Sequence, residues 1–325
     1  MKGGALMGEN LFAQSSKLGM GTLITHEIHG ANAQEALIAA EVETLRLERL
    51  LSRFNPKSDI SSINHMAGIG EVAISDDTLE VLLRACEYSK MCNGCFDITV
   101  GPLVSLWASA KEAHKAPSKE SILSLLPRVN YQDLLVDSQN KTAFLKKAGQ
   151  SIDLGGTAKG YAADNIIEVY KNFGIFSAFT NFGGNVAVIG AKSDGLPWNI
   201  GIRHPRKKNR LIGVVSVTDQ SVVTSGDYMR YFIGRDGKRY HHIIDPSSGY
   251  PAKSGLISAT VITKSSMSAD TLSTILFLSG LEKGIEILNK LSDTEAILID
   301  TNLTVYITEG LRYCFQPSSS VKFLT

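Results

Sequence analysis

The sequence predicts an α+β fold, because segments with strand and helix patterns follow one another without strict alternation. No unit of roughly 20–50 residues repeats, which excludes a solenoid or a propeller. The composition is that of a globular protein: of 325 residues, 43% are hydrophobic and 20% are charged, and the formal net charge is +1. A chain so close to neutral provides no broad electric field to attract nucleic acid or an anionic membrane.

The first half of the chain is predicted to be mainly helical. Residues 1–19 show no periodicity and are expected to form a flexible leader before a single domain over residues 20–325. Residues 22–29 alternate in polarity and predict a strand. A helix is expected from Asn32 to about residue 52, a second after the N-cap Ser75 to about residue 91, and a short third from Ser118, which Pro127 ends.

Strands dominate the second half, with three further helices among them. The helices are expected at residues 161–173, 269–279 and 281–291. Asp236-Gly237 predicts a tight turn between two of the strands. The predicted strands cover residues 134–136, 142–146, 151–154, 186–189, 198–202, 211–217, 229–234, 239–244, 255–263, 296–300 and 304–308.

The chain contains four cysteines, of which Cys92 and Cys95 have CxxC spacing. A zinc site needs two more soft ligands at matching spacing, and the sequence offers no second CxxC or HxxxH. A redox pair stays open as an alternative. Few cysteines, no signal-like apolar segment and no apolar run of about 18 residues predict a soluble, cytoplasmic protein without membrane insertion. The basic run over residues 203–210 is interpreted as a solvated loop between strands.

Residues 151–164 combine a strand pattern, a glycine turn and a helix start. After Asp153, Gly155 and Gly156 allow close approach of a ligand, and Lys159 follows near the helix N-terminus, which favours a phosphate. The segment fits neither a Walker A loop nor GxGxxG. A glycine turn needed only for tight strand-to-helix packing is an equally good interpretation.

Two further groups carry polar side chains with chemical potential. His241 and His242 are adjacent on a predicted strand, so at most one faces a site; His242 is the candidate and His241 is expected at the surface. Asp245 is expected to cap the turn that follows. Asp270 and Thr274, four residues apart, share a helix face and suit an oxygen-seeking cation such as Mg²⁺. Asp270 alternatively only complements the helix dipole.

Seven motifs in order resemble the FAD:protein FMN transferase family, also called flavin transferases or ApbE-like proteins. Each motif is weak alone, but the series is specific, and the resemblance covers roughly residues 18–310. The motifs are MGT at 20–22, FNPKSDISSIN at 54–64, CFDITVGPLV at 95–104, DLGGTAKGYAAD at 153–164, NFGGN at 181–185, HIIDPSSG at 242–249 and ADTLST at 269–274.

The resemblance implies a T-fold-like architecture of mixed sheets packed with helices and a FAD cleft between subregions. It implies Mg²⁺-dependent transfer of FMN from FAD to a threonine of a target flavoprotein, with release of AMP. His242 matches the histidine implicated in transfer, and Lys159 is expected to stabilise developing charge. Gly156, Asp270 and Thr274 match the Mg²⁺ site. The matches to flavin-nucleotide contacts are Met20, Phe54, Cys95, Phe96, Asp97, Asp153, Lys159 and Ile244.

Some features depart from the family pattern or leave alternatives open. Cys95 stands where a small residue is commoner, and Phe54 occupies a position held by various aromatic residues. Many family members are lipoproteins or secreted, whereas this sequence shows neither signal. A Mg²⁺-dependent FAD pyrophosphatase would use the same site with water as the nucleophile. A non-catalytic flavin-binding protein would need none of Asp270, Thr274 and His242.

Overall fold

The computed structural model describes residues 11–324. The helices are α1 (Ala33–Leu51), α2 (Asp59–His65), α3 (Asp76–Met91), α4 (Gly101–Glu112), α5 (Lys119–Leu125), α6 (Ala158–Asn172) and α7 (Ser266–Leu288). The strands are β1 (Phe12–Gly19), β2 (Thr22–His29), β3 (Val72–Ala73), β4 (Leu134–Asp137), β5 (Thr142–Leu145), β6 (Ser177–Phe182), β7 (Asn185–Ile189), β8 (Trp198–Arg203), β9 (Leu211–Val217), β10 (Ser221–Gly226), β11 (Tyr231–Ile233), β12 (Arg239–His241), β13 (Leu256–Thr263), β14 (Glu295–Asp300), β15 (Val305–Ile307), β16 (Phe315–Pro317) and β17 (Val321–Phe323).

A nine-stranded sheet forms the centre of the molecule, in the order β1-β2-β6-β7-β10-β13-β14-β15-β17. Neighbouring strands are antiparallel except for β15 and β17. Helices α1, α6 and α7 pack on one face and bury the larger hydrophobic core. The three-stranded sheet β16-β9-β8 packs on the other face over a second core. The predicted α+β fold of mixed sheets and helices is confirmed.

The burial of individual strands follows from this layering. Every residue of the central strand β13 is buried, because helix α7 covers one of its faces and the small sheet covers the other. Its sequence, LISATVIT, is accordingly apolar or small throughout. In β8, by contrast, buried and exposed residues alternate strictly, since only one face of that strand meets the core.

Two smaller units complete the fold. A three-stranded sheet, β3-β5-β4, lies next to α2 and α3. Helices α4 and α5 pack with the hairpin β11-β12 around a separate cluster that includes Trp107, Phe232 and Ile244. The indole N–H of Trp107 donates to the carbonyl of Gly249 at 2.8 Å and so holds the 245–249 turn in place. Asp245 caps that turn as predicted, accepting from the Ser247 N–H at 2.9 Å.

The helix starts predicted from capping residues are confirmed. Ser75 accepts a hydrogen bond from the Thr78 N–H at the start of α3, and Ser118 accepts from the Ser121 N–H at the start of α5. Asn32 precedes α1 as expected, but its side chain does not cap the helix. It donates to the carbonyl of Phe173 at 2.9 Å. Helix α5 gives way to a single 3₁₀ turn that contains Pro127.

The predicted leader is wrong over residues 12–19, which form β1. The segment FAQSSKLG is mostly exposed, because it is an edge strand, and only Ala13 reaches the core. Its polar sequence therefore lacks the apolar alternation that reveals an inner strand. Backbone pairing with β2 along the whole of its length holds it in the sheet. Residues 1–10 of the predicted leader lie outside the described residues.

Several other boundaries differ from the prediction. Residues 151–154 form no strand and make only one bridge, between Ser151 and Val100. Helix α6 begins at residue 158, three residues early, and α7 begins at residue 266 and continues through a kink at Gly280, where two helices were predicted. Strands β11 and β12 are shorter than predicted. The prediction did not include α2, α4, β3, β6, β10, β16 or β17.

None of the helices within residues 11–324 combines the length and the apolar character that a bilayer-crossing helix needs.

Candidate active site

Helices α6 and α7 cross closely beneath the glycine turn that precedes α6. A Cβ atom on Gly160 would lie 2.4 Å from the carbonyl oxygen of Ser266, so only glycine permits this approach. The carboxylate of Asp164 accepts hydrogen bonds from the N–H groups of Ser266 and Met267, at 2.6 and 3.0 Å, and thereby caps α7. Burial raises the pKa of Asp164, and these N–H donors oppose that shift. The glycine turn and the first turns of α7 are thus held together.

The crossing brings the three predicted metal-binding residues together. The carboxylate of Asp270 is 4% exposed and accepts from the Gly160 N–H at 3.0 Å. A Cβ on Gly156 would lie 3.3 Å from the Thr274 hydroxyl, which places these two residues in contact. The Gly156 carbonyl accepts from the Thr271 hydroxyl at 3.3 Å. These contacts hold the glycine turn and the start of α6 against the first turns of α7, which carry the Asp270 carboxylate and the Thr274 hydroxyl.

Two serines extend this oxygen cluster toward the sheet. The hydroxyl of Ser225, on β10, lies 2.8 Å from the hydroxyl of Ser273 and 3.1 Å from that of Thr274. Ser273 donates in turn to the carbonyl of Asp270 at 2.9 Å. The chain of hydroxyl groups fixes the rotamer of Thr274, so the sheet and α7 position it jointly.

Lys159 lies in the first turn of α6, beside the oxygen cluster. Its ammonium group donates to the Gly155 carbonyl at 3.0 Å and lies 3.8 Å from the carboxylate of Asp270. The Lys159 side chain is about four-fifths shielded from solvent. The predicted positive charge next to the glycine turn is therefore present, and it adds to the partial charge of the helix N-terminus.

His242 follows directly after β12 and faces the same region. Its backbone N–H and its ring Nδ1 both lie 3.1 Å from the carbonyl oxygen of Arg230. Because a carbonyl only accepts, Nδ1 carries the proton and Nε2 keeps a free lone pair. Loss of hydration in the cleft, together with the positive charges of Arg230 and Lys159, lowers the pKa of His242. The His242 side chain nevertheless stays accessible to solvent.

His241 is not the surface residue that the sequence predicted. It is half-buried, its Nε2 donates to the Ala252 carbonyl at 3.0 Å, and its Nδ1 accepts from the Ile243 N–H at 3.3 Å. The ring also meets the edge of Phe277 at 5.5 Å between centroids. Both nitrogens have internal partners, so His241 is a structural residue.

Asp153 and Phe54 lie at another side of the glycine turn. The Asp153 carboxylate pairs with Arg53 at 2.7 Å and accepts from the Gly155 N–H at 2.8 Å, so it holds the turn rather than pointing freely outward. Phe54, next to Arg53, is 84% exposed. Its ring lies under the Arg53 guanidinium, 5.2 Å from centroid to carbon, and one of its faces remains open to stack on a planar ligand.

The segment 95–97 lines the turn from the opposite direction. The ring of Phe96 would lie 3.2 Å from a Cβ on Gly156, so it packs against the glycine turn. Both oxygens of the buried Asp97 are engaged, with the N–H groups of Thr99 and Tyr131 at 2.7 Å. The Asp97 side chain therefore shapes this segment from within. Cys95 is half-buried, and its sulfur lies 3.5 Å from the Ser279 hydroxyl.

Met20 and Ile244, two further predicted flavin contacts, pack in other parts of the fold. Met20 forms the turn between β1 and β2 with a φ of 49° and packs partly against the main core. Ile244 is buried in the cluster around Trp107. Because β12 ends at residue 241, strand alternation does not place Ile244 and His242 on one face. The predicted strand over residues 239–244 is therefore wrong beyond residue 241.

Four residues of the site were not predicted: Arg53, Ser225, Ser273 and Asn185. Asn185 closes the NFGGN motif on the α7 side of β7 and pairs with Val223, two residues before Ser225. It is 4% exposed, and its amide nitrogen has no hydrogen-bond acceptor within residues 11–324. The place of Asn185 in a quoted motif was a usable signal. Ser273 likewise lies in the quoted ADTLST motif, whereas Arg53 and Ser225 become visible only when distant segments meet.

A separate groove of about 230 Å³ opens on the opposite face of the central sheet, between β6 and β8. Phe179, Asn181 and Thr224 are among its lining residues, and no predicted site residue is. The candidate active site is the glycine turn instead. Charged side chains, and types of side chain that commonly bind nucleotides, converge there.

Both the sequence and the fold are similar to those of known proteins. A sequence model of the ApbE family matches residues 20–298. The chain is 34% identical to a FAD:protein FMN transferase of Klebsiella pneumoniae, over 97% of both chains, and 31% identical to one of Treponema pallidum, over 91% and 86%. The crystal structure of the ApbE protein of Thermotoga maritima superposes with a TM-score of 0.84 at 32% identity, covering 90% of this chain and 96% of that one. The flavin transferase ApbE of Vibrio cholerae gives 0.83 at 27% identity, over 93% and 99%.

Proposed function

The chain belongs to the ApbE family, and from that premise we propose that it is a FAD:protein FMN transferase, which moves the FMN half of FAD onto another protein. The observation that carries the proposal is the convergence of Asp270, Thr274 and the Gly156 carbonyl beside Lys159. A pyrophosphate needs positive charge and oriented donors at one place, and the start of α6 supplies both.

Mg²⁺ is proposed to assist, held by the Asp270 carboxylate, the Thr274 hydroxyl and the Gly156 carbonyl. The three donors are all oxygen atoms, which suits this ion. Residues 11–324 contain no cluster of three or more His, Cys, Asp or Glu side chains able to hold a metal. A site with one carboxylate fits an ion that keeps several waters and binds substrate phosphates. When bound, Mg²⁺ would offset the negative charge of the pyrophosphate.

The remaining groups are assigned to binding and positioning of the nucleotide. Phe54 offers an open ring for stacking, Phe96 packs against the glycine turn, and Cys95 precedes Phe96 with its sulfur near the Ser279 hydroxyl. The side chains of Asp97, Asp153 and Ile244 are engaged within the protein, so their proposed flavin contacts run through backbone atoms or through the shape they impose. Met20 is proposed to contact the nucleotide from the β1–β2 turn.

The acceptor is proposed to be a threonine hydroxyl of a target flavoprotein, with AMP as the leaving group. The hydroxyl gives its proton to Nε2 of His242, which is free because Nδ1 is held by the Arg230 carbonyl. A phosphorus–oxygen bond to threonine forms as the bond within the pyrophosphate breaks. Lys159 lies where it can stabilise charge on the phosphate oxygens.

We expect the protein, incubated with FAD, Mg²⁺ and a candidate flavoprotein, to add one FMN mass to that flavoprotein and to release AMP. Intact-mass spectrometry measures the first product and chromatography the second. Free FMN in place of the adduct would instead identify a FAD pyrophosphatase. If neither product forms at any Mg²⁺ concentration, the proposal is overturned. That result would favour a flavin-binding protein, which needs no turnover.

Asp270→Asn tests the metal assignment. The amide oxygen still accepts from the Gly160 N–H, whereas the negative charge is lost, so transfer should fall at least a hundredfold, about 2.7 kcal/mol in the barrier. The melting temperature should stay close to that of the unchanged protein. Asp293→Asn, an exposed carboxylate in the loop after α7, serves as the matched control and should transfer normally. Full transfer by Asp270→Asn, or in excess chelator, would contradict the assignment.

The compartment is proposed to be the cytoplasm. All four cysteines are unpaired in the structure, which fits a reducing environment. The target flavoprotein would then be modified in the same compartment.

A further inference from the structure

Cys92 and Cys95 are brought together by a preformed turn. Helix α3 ends at residue 91, Cys92 caps it, and Asn93 and Gly94 follow with φ angles of 51° and 77°. The Cys95 N–H donates to the Cys92 carbonyl at 3.2 Å and closes the turn. Asn-Gly adopts two successive left-handed residues at little cost. In such a turn the outer Cα atoms lie within about 7 Å, close to the range that a disulfide spans.

The surroundings of the two sulfurs differ in a way that makes one of them reactive. The Phe96 N–H donates to the Cys92 sulfur at 3.2 Å. The Cys95 thiol and these backbone N–H groups lower the pKa of Cys92 to about 7, whereas the adjacent Cys92 sulfur and burial raise the pKa of Cys95. A thiolate on Cys92 and a protonated thiol on Cys95 are the arrangement of a nucleophilic and a resolving cysteine.

We propose that Cys92 and Cys95 form a thiol–disulfide exchange site that accepts small disulfides of the glutathione type. The Cys92 thiolate attacks one sulfur of the small disulfide and releases one small thiol, leaving a mixed disulfide. Cys95 then loses its proton and attacks the Cys92 sulfur, which expels the second small thiol. Two protein thiols are oxidised to one disulfide, and one small disulfide is reduced to two thiols.

The position of the turn couples this exchange to the flavin site, an effect that rests on the proposed function. Residue 95 begins the segment that carries Phe96 against Gly156, a residue that also lies next to the Thr274 hydroxyl. A disulfide moves the Cys95 sulfur away from the Ser279 hydroxyl. It also removes the thiolate on Cys92 that accepts the hydrogen bond from the Phe96 N–H. Loss of one such hydrogen bond is worth about 1 kcal/mol, so FAD affinity should fall roughly fivefold in the disulfide form.

The test incubates the whole protein at a series of ratios of oxidised to reduced glutathione, followed by alkylation and peptide mass mapping. We expect a Cys92–Cys95 disulfide that reduced glutathione reverses. Cys95→Ser should trap glutathione on residue 92, because the resolving thiol is missing. Cys86→Ser should behave like the unchanged protein. No disulfide at any ratio, or one that involves Cys86 or Cys314, would overturn the exchange site.

FAD affinity of the reduced and oxidised proteins tests the coupling, and Cys92→Ser provides the control. Cys92 lies outside the proposed binding groups, so Cys92→Ser should transfer FMN within about threefold of the unchanged protein and lose its response to oxidised glutathione. Equal FAD affinity in both redox forms would overturn the coupling. If the reduced protein failed to bind FAD at all, the proposed function would fail, while the mass mapping would still decide the exchange site.

Discussion

At the scale of single residues, His242 and His241 differ in their hydrogen bonds. Nε2 of His242 is free to accept a proton, whereas both nitrogens of His241 have protein partners. We expect His242→Ala to bind FAD with unchanged affinity and to transfer FMN about 10²–10⁴-fold more slowly, the usual contribution of a general base. Single-turnover kinetics with pre-bound FAD separate the two effects.

His241→Ala should instead lower the free energy of unfolding by about 1–3 kcal/mol, because it unpairs two buried groups.

The pH profile of transfer gives an independent check on His242. Loss of hydration and the nearby positive charges lower its pKa, so the neutral, proton-accepting form persists further into acid than in a free histidine. In the pH profile of the single-turnover rate, the acidic limb should lie below the ordinary histidine pKa of about 6.5. A limb above that value would mean that another group takes the proton.

Phe54 allows a residue-scale test that leaves the fold intact. Because its ring is 84% exposed, Phe54→Ala removes almost no buried surface, and the melting temperature should not change. Loss of stacking on a planar ring is worth about 1–3 kcal/mol, so the Kd for FAD should rise roughly 5-fold or more. Phe176→Ala, equally exposed before β6, is the matched control. The stacking role is excluded if the two variants bind FAD alike.

At the scale of elements, the crossing of α6 and α7 depends on Gly160. A Cβ there would lie 2.6 Å from the Met267 Cα, and no side-chain movement relieves a clash with backbone. Gly160→Ala should therefore separate the helices, at a cost of about 1–3 kcal/mol or more in unfolding free energy. Transfer should also decline, because Asp270 would no longer lie at its present position next to the glycine turn.

Gly284→Ala is the control for this prediction. It lies in α7, where an added Cβ meets only ordinary contacts, at 3.5 Å from Leu276 and 3.9 Å from Leu298. Alanine is a better helix former than glycine by about 1 kcal/mol, so this variant should be as stable as the unchanged protein or more so. Chemical denaturation measures both. Equal stability of the two variants would show that the crossing tolerates a side chain.

The elements that the sequence revealed share a physical feature, and so do those it missed. Helices α3 and α5 were found because caps and apolar periodicity coincide at their starts, and α1 was found from the apolar periodicity after Asn32, although Asn32 does not cap it. Strands β6 and β10 were missed: SAFTNF and SVVTSG contain hydroxyl and amide side chains at positions that the tertiary structure buries or turns toward the site. Local polarity predicts a loop, and the layers on both sides of the sheet decide otherwise.

At the scale of the whole molecule, the site is assembled from segments that no local pattern links. Asp270 and Thr274 are four residues apart and were found together, but Ser225 reaches them from β10 and Gly156 from the turn before α6. The family resemblance supplied the list of metal-site residues to examine. The internal partners of Asp97, Asp153 and Ile244 could not be read from it, because they depend on which backbone groups the fold brings near.

The histidine His26 links the sheet and the helix layer and makes the stability of the whole molecule depend on pH. It is 4% exposed, and its Nδ1 lies 2.7 Å from the Tyr170 hydroxyl on α6 and 3.0 Å from that of Thr180 on β6. Burial lowers the pKa of His26 to about 4; Glu41 opposes this shift and Lys17 adds to it. The folded protein therefore keeps His26 neutral at pH values where the unfolded chain already binds a proton.

The sign of the effect follows from this difference. Histidine in the unfolded chain has a pKa of about 6.5, so below that pH the unfolded chain takes up the proton first. The free energy of unfolding therefore falls as the pH decreases toward 4, by up to about 1.4 kcal/mol per pH unit and roughly 3 kcal/mol in all. His26→Gln cannot take up this proton, and its stability should fall less steeply over the same window, whatever its absolute value. The exposed His65→Gln should keep the slope of the unchanged protein. Urea denaturation at several pH values between 4.5 and 7 measures all three slopes. Carboxylates that titrate in this range are common to the three proteins and cancel in the comparison, so identical slopes for His26→Gln and the unchanged protein would show that His26 is protonated equally in both states.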